Sequence, residues 1–154
     1  RRPPISKLFP YTTLFRSSAK AQHGHNLVIH EFAHQIDMRH KSRHQAADGC
    51  PQLPRGFLGL EPRAAAQHWQ QVWSQQHRHF VRQVQMAERF GAPLPWLDAY
   101  GATDAAEFFA VACEAYVVSR ARFGAEFPAL LPLLDAFFRH PAAAGLAPPA
   151  RACA

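Results

Sequence analysis

The segment from His30 to His34, His-Glu-Phe-Ala-His, constrains the fold more than any other feature of this chain. Residues four apart on a helix lie one turn above each other on the same face, so both imidazoles can reach one ion. Zinc bonds to histidine nitrogen at about 2.0–2.1 Å, and a glutamate directly after the first histidine stands beside the ion. The pattern therefore predicts a helix on which His30 and His34 are zinc ligands and Glu31 is the catalytic base.

The residues around this motif favour a helix from Asn26 to about His40. When they are placed at about 100° intervals, the histidines and Glu31 fall on one side, and a broad apolar face falls on the other. We expect that apolar face to be buried. Its members are Val28, Ile29, Phe32, Ala33 and Ile36.

A catalytic zinc ion needs a third protein ligand and one open position. The residues after His34 lack the glycine and the third histidine of the longer H-E-x-x-H-x-x-G-x-x-H pattern, so a carboxylate is the alternative. Glu107 and Glu114 lie seven residues apart and share one face of a later predicted helix. Asp104 and Glu107 also have the spacing of a capping box, in which Glu107 would serve its own helix end. The residues leave the choice open among Glu107, Glu114 and, with less support, Asp98.

Three side chains are candidates for supporting roles. The glutamate that is not the third ligand could orient a ligand histidine, and so could Asp37, although a solvated or capping carboxylate is an equal alternative for Asp37. Tyr100 precedes the later helix and could donate a hydrogen bond to a developing oxyanion, or it could be an ordinary half-buried loop tyrosine. Most of the remaining histidines, a group that includes His77, are expected at the surface.

The rest of the pattern predicts a mainly α-helical chain. Further helices are expected over residues 62–90, 104–119 and 125–139, with turn-rich loops between them. The longest helix carries an apolar stripe at helical spacing, made of Trp69, Val72, Trp73, Phe80, Val84 and Ala87.

Composition limits the classes of protein that this chain could represent. Its net charge of +6 comes from the first twenty residues, which contain five of the 17 Lys and Arg residues and no acid. The remainder is nearly neutral, which argues against nucleic-acid binding. No apolar run approaches the roughly 20 residues that span a bilayer, which argues against a membrane protein. Three widely spaced cysteines favour a reducing compartment over a disulfide framework.

Several of these segments together resemble the Mlc titration factor A family of bacterial zinc peptidases. The resemblance covers about residues 23–140 in order, and it implies the C-terminal helical part of a zincin-like, H-E-x-x-H metallopeptidase catalytic domain. The matching segments are Asn26–Met38, Asp48-Gly49 with Pro51, Asp98–Glu114, Phe127-Pro-Ala-Leu-Leu and Phe137-Phe138.

The resemblance implies a third zinc ligand and an activity. The glutamate of the Ala-Glu-x-Phe-Ala segment is the family's ligand, which is Glu107 here, and the preceding Tyr100 lies near the metal. The family's members resemble cytoplasmic aminopeptidases that act on short peptides, and they bind the transcriptional repressor Mlc. The alternatives are a repressor-binding module in which zinc is structural, and an inactive fragment.

The N-terminal region departs from the family. Family members have a substantial N-terminal portion with strands beside the zinc helix, whereas residues 1–22 look foreign to it and lack sustained periodicity. We therefore expect a non-native or disordered leader over 1–22, a truncated catalytic domain over 23–140, and a disordered Ala/Pro-rich tail over 141–154. Part of the cover over Val28, Phe32 and Ile36 would then be missing.

Overall fold

A computed structural model describes residues 26–42 and 45–139, which form a mainly helical fold. No strand occurs within those two ranges, and this confirms the predicted fold class. The leader predicted over 1–22 and the tail predicted over 141–154 lie outside the described residues. In chain order the elements are α1 (Leu27–Met38), a 3-10 turn (Phe57–Gly59), α2 (Pro62–Phe90), a second 3-10 turn (Ala99–Ala102), α3 (Ala105–Glu126) and α4 (Leu131–Phe137).

Helix α1 begins at a side-chain cap and packs along α3. The Asn26 side-chain oxygen accepts hydrogen bonds from the backbone N–H groups of Val28 and Ile29, at 3.1 and 3.3 Å. These bonds satisfy two of the free donors that every helix start exposes. Ala33 and Asp37 are the buried residues of α1, and both lie on the side that meets α3. The small Ala33 side chain allows the two helices to approach closely.

Two members of the predicted apolar face of α1 are exposed, and both lie where part of the cover was expected to be missing. Val28 is 64% exposed and Phe32 is 65% exposed. Helix α1 presents the side that carries Ala33 and Asp37 to α3, so the opposite edge of the apolar face, with Val28 and Phe32, turns outward. Ile36, near the centre of that face, is half-buried and packs against the core.

Helices α2 and α3 form an aromatic core that supports the rest of the fold. Four members of the predicted stripe, Trp69, Trp73, Phe80 and Val84, are buried. The Trp69 and Trp73 rings stack with centroids 5.0 Å apart, and Phe108 of α3 packs against both Trp73 and Phe80. Burying large rings in such contacts contributes strongly to stability, so α3 rests on a rigid support.

The end of the fold differs from the predicted helix boundaries. Helix α3 runs past residue 119 to Glu126, with a local break at Ser119, and α4 is shorter than the helix predicted over 125–139. Phe127 separates the two helices with a non-helical backbone at φ −128°. A residue that precedes proline is disfavoured in the α conformation, and Pro128 follows Phe127. Within residues 26–42 and 45–139, no helix combines the length and apolarity that crossing a membrane requires.

Candidate metal centre

Three side chains from two helices bring one donor atom each to a common point. His30 and His34 of α1 place their Nε2 atoms 3.2 Å apart. Oε2 of Glu107, on α3, lies 3.2 Å from Nε2 of His30 and 3.3 Å from Nε2 of His34. Each of these side chains is partly buried, with the His30 side chain 12% exposed. The three residues therefore form a compact group that could hold a metal ion.

The donor set and its spacing fit a zinc ion. Four ligands placed tetrahedrally at about 2.05 Å from zinc are separated from one another by about 3.3 Å, close to the distances in this group. Oε2 of Glu107 is buried and makes no hydrogen bond, although two ring nitrogens lie in contact with it. A buried oxygen without a hydrogen bond is costly, and a cation between the three atoms would satisfy it. Two imidazole nitrogens and one carboxylate oxygen are ligands that zinc accepts.

The first turn of α3 places Glu107 at this point. The Asp104 side chain caps α3 by accepting hydrogen bonds at 2.9 Å from the backbone N–H groups of Ala106 and Glu107. The cap holds the helix start, and the Glu107 side chain turns toward the two histidines of α1. The geometry thus favours Glu107 over the alternatives as the third donor.

Mutual contact shifts the pKa values of His30 and Glu107 in opposite directions. Burial lowers the pKa of His30, but the adjacent carboxylates of Glu107 and Glu114 outweigh it and raise the pKa to about 9. Burial raises the pKa of Glu107, but the adjacent imidazoles of His30 and His34 outweigh it and lower the pKa to about 2. A metal ion that binds here must displace a proton from His30, so metal affinity depends on pH.

Tyr100 lies beside the group, on the second 3-10 turn. Asp98 caps that turn by accepting a hydrogen bond at 2.9 Å from the Tyr100 backbone N–H. The Tyr100 ring centroid is 6.3 Å from that of His30, and the side chain is partly exposed. Burial raises the pKa of the Tyr100 phenol, and the negative charges of Glu107 and Glu31 raise it further. Glu31 itself is exposed on α1, next to His30 in the sequence.

The expectation of a surface position is wrong for His77. Its ring is half-buried on α2 and stacks on Phe108 of α3 with centroids 5.1 Å apart. Burial lowers its pKa. His77 therefore packs α2 against α3. A sequence signal was available, because His77 lies four residues after Trp73 in the buried stripe.

Asp37 is buried, and its bonds connect α1 to the following loop. Its Oδ2 accepts hydrogen bonds from the backbone N–H groups of Asp48 and Gly49, at 3.0 and 2.9 Å. Its Oδ1 accepts a hydrogen bond from Nζ of Lys41 at 2.5 Å. Asp37 is therefore not a solvated carboxylate, and within the described part of the chain its bonds go to the loop instead of to a ligand histidine.

An H-E-x-x-H helix docked on a second helix that carries a glutamate is the arrangement of a zincin-like metallopeptidase. The comparisons with known proteins agree with this class. A family model described as glucose-regulated metallo-peptidase M90 matches residues 10–139, and the chain belongs to that family. The match includes residues 10–22 of the predicted leader.

Curated relatives support the same family. Mlc titration factor A of Salmonella enteritidis is 34% identical over 118 residues, which cover 75% of this chain and 38% of that protein. An uncharacterized protein of Synechocystis is 36% identical over 96 residues, which cover 62% of this chain and 29% of that protein. The resemblance seen in the sequence is thereby confirmed. The chain spans about a third of the length of the curated relatives it matches.

Proposed function

We propose that this chain carries the catalytic centre of a zinc-dependent peptidase, with His30, His34 and Glu107 as the zinc ligands. The observation that carries the proposal is the convergence of three donor atoms at 3.2–3.3 Å from two helices. The unsatisfied Oε2 of Glu107 supports it. When bound, zinc supplies Lewis-acid chemistry, polarising a peptide carbonyl and lowering the pKa of a water molecule.

Two further residues would complete the reaction. Glu31 is the general base: it takes the proton of the attacking water and passes it to the leaving amine. Tyr100 donates a hydrogen bond from its phenol to the oxygen that gains negative charge. The raised pKa of Tyr100 keeps the phenol protonated at neutral pH, as a hydrogen-bond donor must be.

The finer features of this activity come from the family resemblance. We propose an aminopeptidase-like action on short peptides, in the cytoplasm, with one zinc ion per chain. Glu31 and Tyr100 are exposed, and the His34 side chain is 21% exposed, so a peptide can approach the metal group from the solvent side.

The Glu31→Gln variant tests the hydrolase proposal. Glutamine has the same size but cannot accept a proton, and Glu31 is not among the three proposed ligands. We expect zinc content to be unchanged and hydrolysis of aminoacyl nitroanilides to fall by at least about 100-fold, the lower end of what a general base contributes. Metal analysis and steady-state kinetics on the full 154-residue chain measure the two quantities.

Glu88→Gln provides the matched control, because Glu88 is an exposed carboxylate on α2. It should leave both zinc content and hydrolysis unchanged. Full activity of the Glu31→Gln protein with zinc still bound would contradict the role of Glu31. A zinc-loaded wild-type chain without hydrolysis would contradict the enzyme proposal for this chain.

A second function is binding of a transcriptional repressor, with zinc in a structural role. The name of the Salmonella relative connects that protein with Mlc. We propose an Mlc-type repressor as a partner here, and the exposed apolar side chains Val28 and Phe32 favour a protein-contact surface. Titration calorimetry with purified Mlc distinguishes the two functions. Equal binding by wild type and Glu31→Gln, without hydrolysis by either, favours the repressor-binding function, and a chain that takes up no zinc is the inactive fragment.

A further inference from the structure

Glu114 is a buried carboxylate that faces the metal centre from α3. Its residue is 6% exposed, and it follows Glu107 by two helical turns on the same face. One carboxylate oxygen, Oε2, lies 3.6 Å from Nδ1 of His30. The other, Oε1, accepts a hydrogen bond from the backbone N–H of Asn26. Glu114 thus contacts both a proposed ligand and the start of the helix that carries it.

The His30 ring lies between two carboxylates, one on each nitrogen. Glu107 faces Nε2 and Glu114 faces Nδ1. A neutral imidazole carries one N–H, and a carboxylate beside Nδ1 favours the proton there. The lone pair of Nε2 is then directed to the point that His34 and Glu107 also approach. Such an outer partner fixes both the tautomer and the orientation of a ligand histidine.

The contact with Asn26 ties the same carboxylate to the backbone of α1. Asn26 caps α1 with its side chain, and its own N–H is bonded to Glu114. A shift of α1 along α3 would therefore break the bond to Asn26 and move His30 away from Glu107 at the same time. One buried side chain sets the ring orientation and the helix position together.

We propose that Glu114 is the positioning residue of the metal centre, holding His30 in the Nδ1–H tautomer and α1 in register with α3. The proposal rests on the function proposed above for His30, His34 and Glu107. Glu114 touches neither the substrate nor the metal in this scheme. It acts through His30.

The Glu114→Gln variant tests the proposal in the full chain. Glutamine keeps an oxygen for the Asn26 N–H but removes the negative charge beside Nδ1 of His30. We expect zinc affinity, measured by competition with a chromogenic chelator, to fall about 10- to 100-fold, the usual effect of losing such a partner. We also expect ¹⁵N chemical shifts of the His30 ring at pH 10 to change from one Nδ1–H form to a mixture of tautomers.

Asp135→Asn is the matched control, because Asp135 is also a buried carboxylate but bonds to Tyr116 and Arg120. It should lower the melting temperature while leaving zinc affinity within about threefold of wild type, since the effects of substitutions at distant sites without shared partners are usually independent. This comparison separates a positioning role from a general loss of stability, and the His30 tautomer is a readout that stability alone would not move.

The outcomes separate this proposal from the zinc proposal. Unchanged zinc affinity and an unchanged tautomer in Glu114→Gln overturn the positioning role and leave the zinc site standing. A wild-type chain that binds no zinc, but whose tautomer still depends on Glu114, overturns the zinc site and supports the positioning role. If Glu114→Gln fails to fold, the wild-type tautomer decides: an Nε2–H form of His30 overturns the proposal, and an Nδ1–H form supports it.

Discussion

Replacing Asp37 with alanine should destabilise the fold strongly while leaving metal affinity nearly unchanged. The Asp37 side chain is fully buried, yet it carries a carboxylate whose bonds all lie outside the metal group in the described residues. It joins the end of α1 to the loop that contains Asp48 and Gly49. Its loss therefore affects the attachment of that loop, and it leaves the three proposed donor atoms in place.

The magnitude follows from the groups that Asp37→Ala leaves without partners. The backbone N–H groups of Asp48 and Gly49 lose their acceptor, and each buried unsatisfied group costs about 1–3 kcal/mol. Lys41 loses one of its two carboxylates but keeps Asp48, which limits the cost of its charge. We therefore expect the free energy of unfolding to fall by about 3–5 kcal/mol, the range for removing one member of a buried charged pair. Asp37→Asn retains an acceptor and should lose about half as much.

Urea unfolding of the full chain, followed by far-ultraviolet circular dichroism, measures this loss. Asp48→Asn is the matched control, because the Asp48 side chain is 60% exposed and exposed ion pairs contribute about 0–1 kcal/mol. Zinc affinity should change by less than about threefold in the variants that fold, since additivity holds for sites without shared partners. An Asp37→Ala protein that loses less than about 1 kcal/mol, or that keeps its stability and loses zinc, would refute the reasoning and favour a ligand-orienting role for Asp37.

Two further predictions concern the backbone and the titration of the centre. Gly49→Ala should lower the free energy of unfolding by several kcal/mol, because Gly49 has φ +73° and a Cβ there would lie 2.6 Å from the Ala105 carbonyl oxygen. Gly56→Ala, with φ +71° and open space around the new Cβ, should cost only the roughly 1–2 kcal/mol of the left-handed backbone. Equal shifts of the two urea midpoints would contradict the steric argument. Because folding raises the pKa of His30 from 6.5 to about 9, the chelator-treated chain should hold this stabilisation fully below pH 6.5 and lose it, by at most about 3 kcal/mol, as pH rises through 9. The lowered pKa of Glu107 acts at acid pH: its stabilisation is fully present above pH 4.5 and is lost as pH falls through about 2. A His30→Gln chain with the same loss of stability at alkaline pH would show that a group other than His30 is responsible.

The local sequence pattern was sufficient to predict helix α1, which carries His30 and His34, and the long helix α2. His30 and His34 meet because four residues make about one helical turn, and that relation needs no tertiary information. The choice between Glu107 and Glu114 was different. Both lie on one face of α3, so the sequence could predict that the two would point the same way, but only the packing of α1 against α3 determines which one meets Nε2 and which one meets Nδ1.

The predictions that failed depend on contacts between elements distant in sequence. Val28 and Phe32 belong to a regular apolar face, but the close approach permitted by Ala33 turns a different side of α1 toward α3. For Asp37 the sequence left a ligand-orienting role and a solvated or capping carboxylate equally open, because its backbone N–H partners leave no mark in side-chain patterns. His77 was expected at the surface, but its ring packs on Phe108 of α3, which is distant in sequence.

These contacts explain how the metal centre and the fold depend on each other. Within the described residues, α1 buries little apolar surface, since Ala33 is its one fully buried apolar side chain. Polar bonds hold its two ends instead: Asn26 to Glu114 at the start, and Asp37 to the loop at the end. The donor group lies between them and joins the middle of α1 to α3. Any cation that binds this group only when α1 is docked must stabilise the docked helix by the same free energy, so metal affinity and the attachment of α1 are two measures of one equilibrium.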